Sequence, residues 1–327
     1  MRTIGITTTV PVEIILAGKA LPRDLNNLFI TRPDREEMIS RAESFGFPHN
    51  LCSWIKGVFQ AAVESGIREV VGVTRGDCSS TEKLLEVYAT VGIKQIPFAF
   101  PAGRGRQELK KEMERFARHF CVSLSQAEKV RQGLSGVRKK LAALDRMTWE
   151  TGQVSGGENH LWLVSASDFN QDPGNYEKEL NLFLAEASGR EAMPQKIRLA
   201  YLGVPPVYED LYQSLERLGA RVVYNEVQRE FAMVKPAKDL VDQYLNYTYP
   251  YDIFFRGREI KKQLKKRNVH GIIHYAQTFC HRQIEGIVLR KIFDLPLLSI
   301  EGDCPGPIDQ RLRTRLEAFL EMLRDGT

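Results

Sequence analysis

The sequence has few cysteines, no long apolar run and little excess charge. Cys52, Cys78, Cys121, Cys280 and Cys304 are the five cysteines among 327 residues, odd in number and spread along the chain. A secreted disulfide scaffold is shorter, denser in cysteine and usually even in count. Reduced thiols are therefore expected. No stretch approaches ~18 uncharged apolar residues, which excludes a helical membrane span. The net charge is +5, from 46 basic and 41 acidic residues. That excess is too small to demand nucleic acid, although it leaves room for anionic ligands. Met1-Arg2-Thr3-Ile4-Gly5-Ile6 runs into a strand-like pattern with no signal-peptide core, which predicts a cytoplasmic protein.

What is present is ordinary for a globular chain: 43% hydrophobic and 27% charged residues, which excludes a disordered polymer. The length suggests two domains at about 150 residues each. The first third alternates strands (Thr3–Thr7, Glu69–Thr74, Ile93–Phe98) with helices (Val12–Ala17, Phe47–Ser65, Glu82–Val91). Gln107 to Trp149 has few breakers and many charges. It predicts two helices broken near Cys121–Ser125, with Ser125-Gln126-Ala127-Glu128 as a capping box. Gln153–Asn159 is the best linker. A second alternation follows. Its strands are Ile197–Gly203, Arg221–Tyr224, Val269–Tyr275 and Pro296–Ile300; its helices are Asn175–Ala187, Tyr208–Leu218, Glu259–Arg267, Phe279–Ile292 and Gln310–Arg324. The pattern predicts an α/β protein of two open parallel-sheet lobes joined by a helical segment. The expected division is an N-terminal lobe over 1–105, a helical connecting segment over 106–155 and a C-terminal lobe over 156–327.

The cysteines fall at suggestive places. Cys78 follows the strand Glu69–Thr74, and Cys280 follows the strand Val269–Tyr275. Open α/β sheets bind ligands beyond the carboxyl ends of their strands. Cys52 opens a helix, where the helix dipole favours thiolate. The spacings of 26 and 202 residues exclude a local C-x-x-C zinc signature. Three such thiolates can hold an iron–sulfur cluster with one iron left open; the bland reading is that each packs in a core. Cys121 is expected to pack beside Phe116 and Phe120. Cys304, in a Pro-Gly-Pro loop, reads either as a fourth ligand or as a neighbour.

Several stretches together resemble the 2-hydroxyacyl-CoA dehydratase family, which includes benzoyl-CoA reductase subunits and double-cubane-cluster reductases. They are Val10-Pro11-Val12-Glu13-Ile14-Ile15 with Ala17-Gly18 and Pro22, then Glu216–Val223, Gly271-Ile272-Ile273 with Cys280, Glu301-Gly302-Asp303, and Arg313–Leu323. Cys52 and Cys78 are similar in order and rough spacing to the family's first two cluster cysteines. The resemblance implies two flavodoxin-like lobes per subunit, a [4Fe-4S] cluster on Cys52, Cys78 and Cys280 and a dimer of related or identical subunits. It also implies a separate ATP-hydrolysing iron–sulfur activator protein. An acyl-CoA substrate would be dehydrated by way of a ketyl radical. A double-cubane cluster needs more thiolates than three per site, which sets it behind the single cubane. The rival readings are a homodimeric reductase of a small non-CoA molecule and a non-catalytic partner subunit.

Other residues carry two readings each. Glu13 resembles the family's glutamate and reads as a proton carrier or as an ordinary first-turn acid. Thr8 and Thr9 read as thioester-carbonyl donors or caps. Ser79 and Ser80 read as donors to cluster sulfides or as caps of the next helix. His281 reads as a proton carrier or a solvent-facing side chain. Arg104, Arg106 and the run Lys261–Arg267 read as solvated charge or as contacts for CoA phosphates or an acidic activator.

Overall fold

The computed structural model describes residues 2–194 and 196–326. The chain divides into two units, each assembled from separated segments. The first runs to Lys139 and takes in Ser165–Glu177 and Phe231–Tyr251. The second comprises Lys140–Val164, Lys178–Glu230 and the chain from Asp252 on.

The chain opens with β1 (Arg2–Ile6), α1 (Val12–Ala17), β2 (Ala20–Asp24), α2 (Leu25–Ile30), α3 (Arg35–Phe45) and α4 (Ser53–Glu64). β3 (Glu69–Arg75), α5 (Thr81–Thr90) and β4 (Lys94–Ala99) complete the first sheet, whose order is β2-β1-β3-β4 with every pairing parallel. Val70, Val71, Gly72 and Val73 are all buried, as a strand covered on both faces requires. α4 buries Ile55, Val58, Phe59 and Ala62 at helical spacing against Leu84, Leu85 and Tyr88 of α5. Each large apolar side chain so buried contributes about 1.5–3 kcal/mol.

Next come α6 (Arg106–Arg118), α7 (Leu124–Gly133), α8 (Ser135–Arg146), a π-turn over Met147–Thr151, α9 (Gly156–Ser165), a short 3-10 turn over Phe169–Gln171 and α10 (Pro173–Ser188). The stretch after Gln107 is thus three helices rather than two. The capping box is built by Ser123 with Gln126, not by Ser125 with Glu128. α9 begins inside the stretch read as a linker.

β5 (Ile197–Gly203), α11 (Leu211–Arg217), β6 (Ala220–Asn225), α12 (Glu226–Phe231), α13 (Leu240–Asn246), α14 (Ile253–Lys266), β7 (Gly271–Gln277), α15 (Arg282–Ile292), β8 (Leu297–Gly302) and α16 (Gln310–Asp325) follow. The second sheet is again all-parallel, in the order β6-β5-β7-β8. Both sheets therefore follow one flavodoxin-like scheme: the first strand lies inside, the second at the edge, and the third crosses to the other side of the first. Ala200, Leu202, Ile272, Ile260, Leu264 and Leu289 form the core of the second unit. Among the described residues, no helix is long and apolar enough to cross a membrane.

Candidate functional site

Each sheet changes direction between its first and third strands, and the carboxyl side of that switch is where open α/β sheets bind ligands. In the first unit the loops after β1 and β3 flank the switch. The β1 loop is fixed by Thr7, whose N–H donates to the Val71 carbonyl at 3.1 Å. Thr8 and Thr9 are buried. The Thr9 hydroxyl has no hydrogen-bond partner among the described residues.

The β3 loop carries Gly76, Asp77, Cys78, Ser79 and Ser80. Gly76 has φ +99°, and a Cβ there would stand 2.6 Å from the Pro250 side chain. Asp77 accepts a 2.7 Å hydrogen bond from the Tyr249 hydroxyl. Glycine and the tyrosine together hold this loop close to the 247–251 segment. The Ser80 N–H donates to Cys78 Sγ at 3.4 Å. Neither serine was needed as a cap: Ser80 occupies the N-cap position of α5 without a side-chain hydrogen bond. Ser79 is exposed.

Cys52 occupies the N-cap position of α4. A helix that leads into a parallel strand begins at the carboxyl edge of the sheet, so Cys52 lies at the same edge as Cys78. Both thiols pack partly buried on the one core formed by α4 and α5.

The second unit repeats the placement. Cys280 lies three residues beyond the end of β7, as Cys78 lies three residues beyond the end of β3. Cys280 is half-buried, and His281 beside it is exposed at the N-cap position of α15. Cys304 is exposed in the loop after β8, at the same sheet edge. None of the five cysteines is in a disulfide. Cys121 departs from expectation: it is exposed with φ +54°, while Phe116 and Phe120 take the core positions. Among the described residues, no three His, Cys, Asp or Glu side chains gather into a metal-binding group. The donors suit an iron–sulfur group in kind, being reduced thiols at sheet edges with a backbone N–H directed at one sulfur.

Glu13, in the first turn of α1, is fully buried. Its Oε1 accepts from Arg138 Nη2 at 2.6 Å and from Gln243 Nε2 at 2.8 Å. Its Oε2 lies 2.8 Å from the Tyr244 hydroxyl, which also lies 2.8 Å from the Val10 carbonyl. Burial pushes the carboxyl up, but the Arg138 charge and the donated hydrogen bonds outweigh it and hold Glu13 below its ordinary value. The group is an anion at neutral pH.

An aromatic wall that the pattern reading missed lies beside Glu13. Tyr244, Tyr247, Tyr249 and Tyr251 fall within eight residues and are all buried. Tyr247 stacks on Tyr249 at 6.0 Å, and the Arg104 guanidinium lies 5.3 Å from the Tyr251 ring centre. That tyrosine density was the available signal. Arg104 is also bound to the Leu245 carbonyl, and Arg106 pairs with Asp239. In the basic run, Lys261, Lys262, Lys265 and Lys266 are exposed, but Arg267 is not solvated. It is buried in a bidentate pair with Asp145 at 2.9 and 2.6 Å.

In the second unit a buried ionic group stands behind Cys280. Arg256 donates to Glu226 at 3.0 Å and to Glu285 at 2.7 Å, and Arg282 reaches Glu285 at 3.3 Å. Burial raises the Glu285 carboxyl, yet the charges of Arg256 and Arg282 bring it down to about 2. Gly203, at the end of β5, has φ +101°, and a Cβ there would stand 2.0 Å from the Tyr275 carbonyl. Only glycine fits that approach.

No curated protein matches the sequence. Among solved structures, the chain is similar to the SBP FpvC from Pseudomonas aeruginosa in complex with Mn2+, at 14% identity over 100% of both chains, with a TM-score of 0.25. A score that low carries no argument. The family described as 2-hydroxyglutaryl-CoA dehydratase, D-component, matches residues 7–323. With that match spanning both parallel-sheet units, the chain belongs to the 2-hydroxyglutaryl-CoA dehydratase D-component family.

Proposed function

We propose that this chain is the iron–sulfur subunit of an enzyme that dehydrates a small 2-hydroxyacyl-CoA. Cys52, Cys78 and Cys280 supply the thiolates for a [4Fe-4S] cluster; Cys304, at the same sheet edge as Cys280, would close the fourth iron if it joined them. The carrying observation is that Cys78 and Cys280 occupy equivalent positions, each three residues past the third strand of its own sheet. Family membership agrees with it. When bound, such a cluster supplies one low-potential electron and an open iron that can act as a Lewis acid.

The chain's own residues have separable tasks. The Ser80 N–H stabilises the Cys78 thiolate. The start of α4 does the same for Cys52 through its dipole. Thr9 offers its unpartnered hydroxyl to a substrate carbonyl. Ser79 and His281, both exposed, are the side chains that donate or carry protons beside the cysteines. Glu13, fully buried and paired with Arg138, holds the first unit together beside Tyr244. A D-component works with a second component, and electrons come from a separate ATP-hydrolysing iron–sulfur activator.

The test is anaerobic turnover with cluster-loaded protein, second component, activator, ATP and a panel of 2-hydroxyacyl-CoA thioesters. The expected result is enoyl-CoA formation that Cys280→Ser abolishes. Electron consumption without enoyl-CoA, with reduction of a small non-CoA molecule instead, would replace the dehydratase reading with a reductase one.

A further inference from the structure

We propose that the amino-terminal edge of the first sheet, opposite the thiol-bearing edge, holds a binding site for a small phosphate monoester. A cavity of about 470 Å3 opens there, within the usual range for small-molecule sites. It is walled by the starts of β1 and β3, the 65–67 turn after α4, Arg23 of β2, and Gln171.

The charges in the cavity do not balance internally. Arg2, Arg23 and Arg68 face one carboxylate, Glu69. Arg2 already holds Glu69 in a bidentate pair, 2.6 Å at both contacts, and Lys94 lies 3.2 Å from the same carboxylate. The Arg68 guanidinium makes no hydrogen bond or ion pair among the described residues, and Arg23 meets the charge of Asp168 without a hydrogen bond or ion pair to it. Two guanidiniums without a hydrogen-bonded carboxylate suit an anion that can accept from both. Their planar forks suit the paired oxygens of a phosphate better than a point charge would. Thr3 and Ser65 add hydroxyls and Gln171 an amide, which are neutral donors for the remaining oxygens. Leu28 and Ile67 provide an apolar wall for the organic part of an ester.

A second observation points to the same place. Gln171 is the last of three consecutive non-glycine residues in the left-handed region, with φ 51° at Phe169, 49° at Asn170 and 66° at Gln171. Such backbone is sparsely populated, persists only where the surroundings impose it, and collects at ligand-binding segments. Here Asp168 fixes the start of the segment by accepting the Asp24 N–H at 2.8 Å. Phe169 packs edge-on to Tyr176 and lies under the Arg138 guanidinium. The result is an amide side chain delivered to the wall of a basic cavity.

The experiment is calorimetric titration of the purified full chain with adenosine 5′-monophosphate, inorganic phosphate and succinate in low-salt buffer. It is repeated on Arg23→Gln, Arg68→Gln and Cys78→Ala. The expected result is saturable binding of the monophosphate, weaker binding of inorganic phosphate and none of succinate. Each arginine substitution should weaken binding by about tenfold or more, as loss of a charge-assisted hydrogen bond does. Cys78→Ala should leave it unchanged. No saturable binding of either phosphate probe at millimolar concentration would overturn the proposal. So would equal affinity for succinate, indifference to both arginine changes in correctly folded variants, or loss of binding in Cys78→Ala.

Discussion

Arg138 places its guanidinium 2.6 Å from Glu13 and 3.0 Å from Gln243, 125 and 105 residues away in the chain. This buried pair ties α1 to α8 and α13 inside the first unit. Removing one partner of a buried pair leaves an uncompensated charge and costs about 3–5 kcal/mol. Arg138→Met should therefore lower the urea midpoint strongly, and adding Glu13→Gln should recover much of the loss. The folded Glu13 carboxyl lies below its ordinary 4.5. The pair's contribution is thus present above that value and lost as pH falls through the lower folded one. A single variant as stable as the parent would contradict this.

Asp168 has the opposite sign. Burial first, then the Asp24 charge, pushes its carboxyl from 3.8 up to about 7. Between those values the folded protein holds a proton that the unfolded chain has released, so stability falls as pH rises across that window. Asp24 is shifted the same way by its own burial. Asp168→Asn mimics the protonated acid and keeps an acceptor for the Asp24 N–H. Between about pH 5 and about pH 8 the parent should lose on the order of 3 kcal/mol relative to this variant. Parallel urea-midpoint curves would rule the coupling out.

Gly76→Ala tests the seating of Cys78. The added methyl meets Pro250 at 2.6 Å in a backbone conformation that disfavours any side chain. The expected outcome is a stability loss of about 1–3 kcal/mol together with reduced iron incorporation in protein that still folds. Full iron loading of Gly76→Ala would show that the loop's fixed position is not what presents the thiol.

Much of this was legible in the sequence, for physical reasons. The strand Ile197–Gly203 and the helix Val12–Ala17 have the bounds their apolar patterns predict. A buried parallel strand and an amphipathic turn both write themselves into periodicity. β2 was missed because Pro22 interrupts a five-residue run, which an edge strand tolerates and a propensity reading does not. α14 reads as a solvated basic helix until Asp145, 122 residues from Arg267, turns one cation inward. Cys121 looks like core beside two phenylalanines, but its own left-handed backbone, at φ 54° just past α6, leaves it exposed. Segments 165–177 and 231–251 rejoin the first unit across long sequence gaps, and no local signal announces that. That Cys52 opens a helix and that Cys78 and Cys280 follow strands was legible from pattern, because strand and helix ends could be located there. The Glu13 partners Arg138, Gln243 and Tyr244 were not, since nothing local links them.

The iron–sulfur cluster proposed on Cys52, Cys78 and Cys280 can be counted. The most direct measurement is iron and acid-labile sulfide content with EPR on anaerobically purified protein, beside Cys52→Ala, Cys78→Ala and Cys280→Ala. The expected result is about four irons per chain, a reduced-cluster EPR signal, and loss of both in each variant, with Cys121→Ala unaffected. Iron-free protein from strictly anaerobic preparation, or undiminished iron in the three variants, would contradict it.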